Sequence, residues 1–213
     1  MGHFIDLKKW NRRKHFEMFR RYEQPFFSVC VQVDVTAFWK HCRAPGAPPF
    51  FLSSLFLMLR AANQTDGLRL RLRRRGVWLH DRVAVGTTLL RSDRTFAFAR
   101  VESSESLPMF IEQGEAAIAR GKSRKTLAPP RPRDDDVVYH STLPWFHFTA
   151  FTNALRRADS IPRIVFGKCG KDGRRVLMPV AVEVHHALVD GFDVAQFIER
   201  FETELSRVQE GIG

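Results

Sequence analysis

The chain reads PVAVEVHHALVDGF from Pro179 to Phe192, a strand-like run followed by two adjacent histidines and an Asp-Gly pair. The run from 179 to 184 is short, apolar and rich in valine, which favours a buried strand. His185 and His186 end this strand, and successive side chains of a strand point to opposite faces. The pattern therefore predicts that the two imidazoles face opposite sides of the strand, so that they do not serve one site together.

The chemistry of this segment depends on the spacing His-His-x-x-x-Asp-Gly. A neutral histidine, with a pKa of about 6.5, can take a proton from a hydroxyl group at pH 7. Asp190, four residues after His186, can fix the loop that carries such a base, and Gly191 permits a tight turn. The alternative interpretation is a core histidine beside an aspartate that caps the final helix.

Two segments elsewhere in the chain accompany this motif: WNRRKHF begins at Trp10, and STLPW begins at Ser141. In this order and at roughly these separations, the three segments resemble the chloramphenicol acetyltransferase family of coenzyme A-dependent O-acyltransferases. The resemblance runs along nearly the whole chain. It implies the two-layer fold of that family and a homotrimer whose active sites lie between subunits.

The resemblance also implies a role for each site residue. His186 is expected to be the general base, and His185, whose side chain faces away from the site, is expected to be structural. Ser141 is expected to donate a hydrogen bond to the oxyanion. Asp190 is expected to pair with Arg12 and so fix the loop that carries His186, rather than to orient the imidazole as in a Ser-His-Asp triad. Lys168 is expected to lie near a phosphate of coenzyme A.

Each of these assignments has an alternative. Serine is common in turns, so Ser141 also fits a turn residue before Pro144. Asp190 also fits a residue that only caps the final helix, with Arg12 in solvent. Lys168 also fits a solvated lysine at the end of a strand.

The predicted reaction transfers an acetyl group from acetyl-CoA, as co-substrate, to a hydroxyl of chloramphenicol or a related small molecule. The sequence has no Gly-x-Ser-x-Gly elbow, so a covalent acyl-enzyme is not indicated. The resemblance implies direct transfer in a ternary complex. Resistance-type members carry threonine, an aromatic residue and histidine where this chain has Val165, Cys169 and Asp193. These departures are expected to alter the acceptor pocket and to leave the base and its ion pair untouched.

Two other functions compete with this prediction. A non-catalytic family relative would bind an acyl-CoA or another ligand without turnover. Catalytic cores of dihydrolipoyl acyltransferases carry a related His-x-x-x-Asp-Gly motif, but they normally come with lipoyl domains and linkers, which this sequence lacks.

The net charge of +11 has its densest source in LRLRLRRRG from Leu68 to Gly76. The alternation predicts a half-buried strand with its arginines outward and a turn at Gly76. An anionic partner such as coenzyme A fits this charge. Nucleic acid is the alternative, but no recognised binding motif accompanies the stripe, and no nucleic-acid partner is predicted. The 3 cysteines and 8 histidines have no metal-ligand spacing, so no metal is predicted either.

The length of 213 residues and the hydrophobic fraction of 44% fit one domain over residues 1–213. No apolar run is long enough to span a bilayer, and the first residues do not form a signal peptide, so no membrane partner and a cytoplasmic location are predicted. The predicted class is α/β (α+β), a two-layer sandwich in which helices cover a mixed β-sheet. Helices are predicted at 8–22, 50–63, 107–121 and 192–209, with a short one capped by Thr36. Strands are predicted at 26–35, 68–73, 76–80, 83–90, 95–101, 137–141, 146–152, 162–168 and 175–184, and an exposed loop at 128–136.

Overall fold

A computed structural model describes residues 2–127, 135–155 and 159–207 of the chain. Its helices are α1 (Arg13–Phe19), α2 (Thr36–His41), α3 (Phe50–Asn63), α4 (Asp66–Arg69), α5 (Leu107–Ser123) and α6 (Gly191–Ser206). Its strands are β1 (Gly2–Phe4), β2 (Phe26–Asp34), β3 (Leu70–Arg73), β4 (Gly76–His80), β5 (Ala84–Leu90), β6 (Phe96–Val101), β7 (Val137–Leu143), β8 (Arg163–Gly167), β9 (Gly170–Asp172) and β10 (Arg175–His185).

Within the described residues, the main sheet has the strand order β2-β10-β8-β7-β5-β6, with β9 also paired to β10. Strands β5, β7 and β8 run parallel to one another, while β10 is antiparallel to both β2 and β8. A second sheet of three strands has the order β1-β4-β3. This mixed sheet with its helices confirms the predicted fold class.

Helices cover one face of the main sheet. Val180, Val182 and Val184 of β10 are fully buried in the same core as most of α3. Because α3 is apolar on nearly all sides, it packs between the sheet and the other helices, as its sequence predicts. Alternate residues of β10, including Glu183 and His185, therefore point to the opposite face.

An irregular segment at 144–155 lies over part of that opposite face. The predicted strand at 146–152 is wrong, because this segment is irregular and two of its carbonyl groups accept from side chains instead of joining a strand ladder. Ser28 Oγ donates to the Phe151 carbonyl at 2.9 Å, and Cys30 Sγ donates to the Phe148 carbonyl at 3.7 Å. The segment thus folds onto β2 without joining the ladder.

Several predicted boundaries change as well. The first helix covers Arg13–Phe19 instead of 8–22, because the residues before it form tight turns. Thr36 is the first residue of α2 and not its cap, since Asp34 Oδ1 accepts from the Thr36 N–H at 2.9 Å. The predicted loop at 128–136 lies outside the described residues apart from its last two positions.

The arginine stripe is the clearest error of the sequence prediction. Arg71 is fully buried instead of outward, and burial lowers its pKa to about 10. Its guanidinium donates to the carbonyl groups of Leu68 at 2.9 Å, Leu70 at 2.7 Å and Asp135 at 2.6 Å, as well as to that of Val137. Buried carbonyl groups at the start of β7 need donors, and this arginine supplies them. The stripe therefore does not form a uniform outward basic face.

No helix among the described residues combines the length and the apolar character needed to cross a membrane.

Candidate active site

His186 lies directly after β10, where the strand turns toward α6. Its backbone N–H donates to the Pro25 carbonyl at 2.7 Å, which ties the turn to the start of β2. Its ring stacks on Phe19 of α1, with centroids 3.9 Å apart, and lies 4.7 Å from the ring of Phe27. Strand end and aromatic contacts together hold the imidazole in one orientation.

The tautomer of His186 follows from one contact. Nδ1 lies 3.2 Å from the carbonyl oxygen of Val189. A carbonyl oxygen can only accept, so Nδ1 carries the proton and Nε2 of the neutral ring keeps its lone pair. No hydrogen bond joins Nε2 to another residue in the part of the chain that the structure describes. The ring is thus prepared to accept a proton at Nε2.

His185 is held differently from its neighbour. It is buried, packs edge-on against Phe26 at 5.1 Å, and accepts through Nδ1 from the Ala187 N–H at 3.2 Å. Burial lowers the pKa of His185 to about 4, although the negative charge of Asp159 acts to raise it. A neutral, enclosed ring of this kind fits the framework role that the sequence predicts.

Asp190 connects α6 to the N-terminal part of the chain. Its carboxylate accepts from Arg12 Nη1, with side-chain exposures of 17% for Arg12 and 35% for Asp190. The same carboxylate caps α6 by accepting from the Phe192 N–H at 2.9 Å and the Asp193 N–H at 3.3 Å. Its partners among the described residues do not include His186, so the geometry favours an anchor over a triad member.

Asp193 belongs to the same anchor, which corrects the expectation that this departure leaves the ion pair untouched. Asp193 Oδ2 accepts from the Asp190 N–H at 2.9 Å and lies 3.6 Å from Arg12 Nη1. One guanidinium thus faces two carboxylates, and the two aspartates form a reciprocal capping box. Burial raises the pKa of Asp193, and the adjacent charge of Asp190 acts in the same direction.

We expect Asp190→Ala to lower the free energy of unfolding by about 2–4 kcal/mol at pH 7. About 1 kcal/mol is the lost helix cap, and about 1–3 kcal/mol follows from the loss of the nearer of the two carboxylates that face Arg12. Asp190→Asn is the matched control, because the amide keeps a capping oxygen and removes only the charge. Urea unfolding of both variants measures the two parts; equal losses would contradict the cap assignment.

The charge part of this effect depends on pH. Burial raises the pKa of Asp190, but the hydrogen bond and the charge of Arg12 outweigh it and lower the pKa overall. A carboxyl group with a lowered folded pKa stabilises above its unfolded pKa and loses that contribution as the pH falls through the folded value. The difference between wild type and Asp190→Asn should therefore narrow as the pH falls below the ordinary aspartate pKa of about 3.9.

Ser141 lies on β7, at some distance from His186. Its hydroxyl accepts from Thr88 Oγ1 of β5 at 3.1 Å. The preceding residue, His140, packs on Phe166 in the helix-covered core, so Ser141 points to the opposite face of the sheet. The described chain therefore brings Ser141 together with Thr88 and not with the histidine.

Lys168 lies just beyond the carboxyl end of β8, with its side chain exposed. Its backbone N–H donates to the Phe146 carbonyl at 2.7 Å. Phe146 directly follows Trp145, and both rings are more than half exposed. The lysine and the Ser-x-x-Pro-Trp segment thus lie side by side at the edge where β7 and β8 end.

No group of three or more metal-ligating side chains comes together in the part of the chain that the structure describes. All three cysteines are free thiols, and burial raises the pKa of Cys42 and of Cys169 to about 11. A shallow cavity of about 410 Å³ between α2 and α6, lined in part by Asp34 and Glu202, contains none of the predicted site residues.

Sequence reasoning missed two members of the site. Thr88 becomes a neighbour of Ser141 only through the register of β5 against β7, which no local pattern announces. Asp193 had a signal, because an acidic residue three positions after an aspartate cap is typical of a capping box.

Comparisons with known proteins show one family in both sequence and fold. The family model "Chloramphenicol acetyltransferase" matches residues 2–202. Chloramphenicol acetyltransferase 3 of Escherichia coli is 32% identical over 201 residues, which cover 93% of this chain and 94% of the relative. A solved chloramphenicol acetyltransferase has a TM-score of 0.85 and 25% identity, and the match covers 96% of this chain and 100% of that one. A probable dihydrolipoamide acetyltransferase from Listeria monocytogenes shares the fold, with a TM-score of 0.69 at 10% identity over 93% of each chain. The chain therefore belongs to the chloramphenicol acetyltransferase family and is an acetyltransferase.

Proposed function

We propose that this enzyme transfers the acetyl group of acetyl-CoA to a hydroxyl of chloramphenicol or of a related small molecule. The observation that carries the proposal is the state of His186, whose Nδ1 proton faces a carbonyl oxygen and whose Nε2 is therefore basic. Family membership supplies the thioester donor. Antibiotic resistance and a cytoplasmic location are parts of the same proposal.

In the proposed mechanism, His186 Nε2 accepts the proton of the acceptor hydroxyl as that oxygen attacks the thioester carbonyl carbon. The C–O bond forms, and negative charge develops on the carbonyl oxygen, which accepts a hydrogen bond from Ser141. The C–S bond then breaks, the oxyester leaves, and the proton on Nε2 passes to the thiolate of coenzyme A. The Asp190–Arg12 anchor holds the His186 loop throughout.

The two central residues are far apart within one chain, which supports a homotrimer with active sites between copies. Ser141 is paired with Val165, and Val165 with Ala181, so two strand spacings, about 10 Å, separate Ser141 from β10. His186 lies five residues beyond Ala181, about 16 Å along the strand direction. The two side chains also belong to opposite faces of the sheet. One site containing both therefore requires a second copy of the chain.

Coenzyme A is proposed to lie along the edge where β7 and β8 end. The exposed ammonium of Lys168 beside Phe146 gives an anionic nucleotide a cationic partner there. The net charge of +11 acts in the same sense.

The function predicts acceptor-dependent thiol release from acetyl-CoA. Purified enzyme with acetyl-CoA should release thiol rapidly with chloramphenicol or a related hydroxyl compound and only slowly without an acceptor. Mass spectrometry should find one acetyl ester on the acceptor. Release with an acceptor other than chloramphenicol would reassign the acceptor, whereas acetyl-CoA binding without release across a broad hydroxyl panel would favour a non-catalytic relative.

A further inference from the structure

We propose that Thr88 is a positioning residue that holds the hydroxyl of Ser141 in the orientation required at the oxyanion. The inference rests on the proposed function and adds a residue that neither the sequence motifs nor the family match assigns. It follows from the way in which β5 and β7 pair.

The register of the two parallel strands places Thr88 beside Ser141. Thr87 is the partner of His140, so the next residue of each strand reaches the opposite face at the same level. There the Thr88 hydroxyl donates to Ser141 Oγ at 3.1 Å. Thr88 is β-branched, which restricts χ1 and so limits the positions that its hydroxyl oxygen can take beside Ser141.

This direction matters because a serine hydroxyl has one proton and two lone pairs. When Thr88 donates, it occupies a lone pair of Ser141 and leaves the serine proton free. That proton can then be given to an oxygen atom bound in front of the sheet. A donor that is itself hydrogen-bonded is polarised, so the chain Thr88 to Ser141 to oxyanion is stronger than Ser141 alone.

The opposite face makes the arrangement rigid. Thr87 Oγ1 and His140 Nδ1 lie 3.0 Å apart, and both side chains are buried. The His140 ring packs on Phe166 at 4.7 Å. A shift of β7 against β5 would break this buried hydrogen bond. The bond on the helix-covered face therefore fixes the distance between the Thr88 and Ser141 hydroxyl groups on the other face.

Phe98 lies next to Thr88 on the side away from Ser141. It is the direct partner of Thr88 on the antiparallel strand β6, on the same face as Ser141. No other hydrogen bond of the Thr88 hydroxyl occurs among the described residues. The hydroxyl is therefore dedicated to the serine.

A double-mutant cycle tests the proposal. Thr88→Val keeps the shape of the side chain and removes the hydroxyl, and it should lower kcat about tenfold, the equivalent of one ordinary hydrogen bond. KM for acetyl-CoA should change less than about twofold, because the ground-state contacts remain. Thr88→Ser should restore most of kcat. Ser141→Ala alone should lower kcat about 10²–10³-fold, and adding Thr88→Val to it should have no further effect.

Two kinetic results would overturn the assignment: unchanged kcat in Thr88→Val, or the same tenfold loss with and without Ser141. Thermal unfolding of each variant excludes a general loss of structure. Crystal structures of wild type and Thr88→Val add a readout independent of turnover, since Ser141 should occupy one χ1 rotamer with Thr88 and several without it. If wild type transfers no acetyl group to any acceptor, the proposed function fails, while a single Ser141 rotamer in both structures would refute the positioning role separately.

Discussion

His186→Ala should lower kcat for acetyl transfer by about 10²–10⁴-fold, the contribution typical of a general base. In the proposed mechanism His186 Nε2 accepts the acceptor proton, since Nδ1 faces the Val189 carbonyl and Nε2 has no hydrogen-bond partner among the described residues. KM for acetyl-CoA should stay within a few-fold of wild type, because the proposed mechanism places the histidine at the acceptor hydroxyl and not at the thioester. Thiol release followed over both substrate concentrations separates the two constants.

The ring of His186 also stacks on Phe19 at a half-buried position, so its removal takes away this contact and affects stability. His186→Gln keeps more of this volume and should be as inactive as the alanine variant, while unfolding closer to wild type. His3→Ala, at an exposed histidine of β1, should retain full activity. Turnover of either His186 variant above about a tenth of wild type would remove the histidine from the role of base.

Much of the fold could be predicted because single elements carry strong local patterns. β10 is a continuous apolar run and was expected from 175 to 184, and the all-round apolar α3 occupies Phe50–Asn63 as expected. The segment at 146–152 carried a similar strand pattern, yet it is irregular because Ser28 and Cys30 bind its carbonyl groups. Such a competition between side-chain and ladder bonds depends on what lies opposite, which the local pattern does not contain.

The residues of the candidate site also fall into two groups, those that the sequence predicted and those that only the fold brings together. The sequence motifs, together with the family resemblance, predicted that Arg12 and Asp190 form a pair, and the structure joins them across 178 positions of the chain. Thr88 was absent from every motif, because its relation to Ser141 exists only once β5 and β7 are in register. Residues that act through a neighbouring strand thus need the fold before they can be found.

The prediction that the arginines of β3 all point outward is wrong for a physical reason. Alternation of leucine and arginine predicts a strand with one wet face, because an unpaired cation in the core is unfavourable. The guanidinium of Arg71 can nevertheless be buried, because backbone carbonyl groups, including that of Val137, accept hydrogen bonds from its N–H groups. Arginine presents five donors in a planar fork, and only a site that fills several of them can bury it.

Arg71→Met should therefore lower the free energy of unfolding by about 3–5 kcal/mol, because several buried carbonyl groups each lose a donor at about 1–3 kcal/mol. Methionine fills the volume but leaves the carbonyl groups of Leu68 and Val137 without this donor. Arg75→Met, at an exposed position of the same run, is the matched control and should change stability by less than about 0.5 kcal/mol. Arg71→Lys should recover little, since one ammonium cannot reach both ends of the fork. Urea unfolding of the three variants measures these differences. Equal stability of Arg71→Met and Arg75→Met would mean that the arginine-rich segment is only a solvated edge and that Arg71 is not a buried donor.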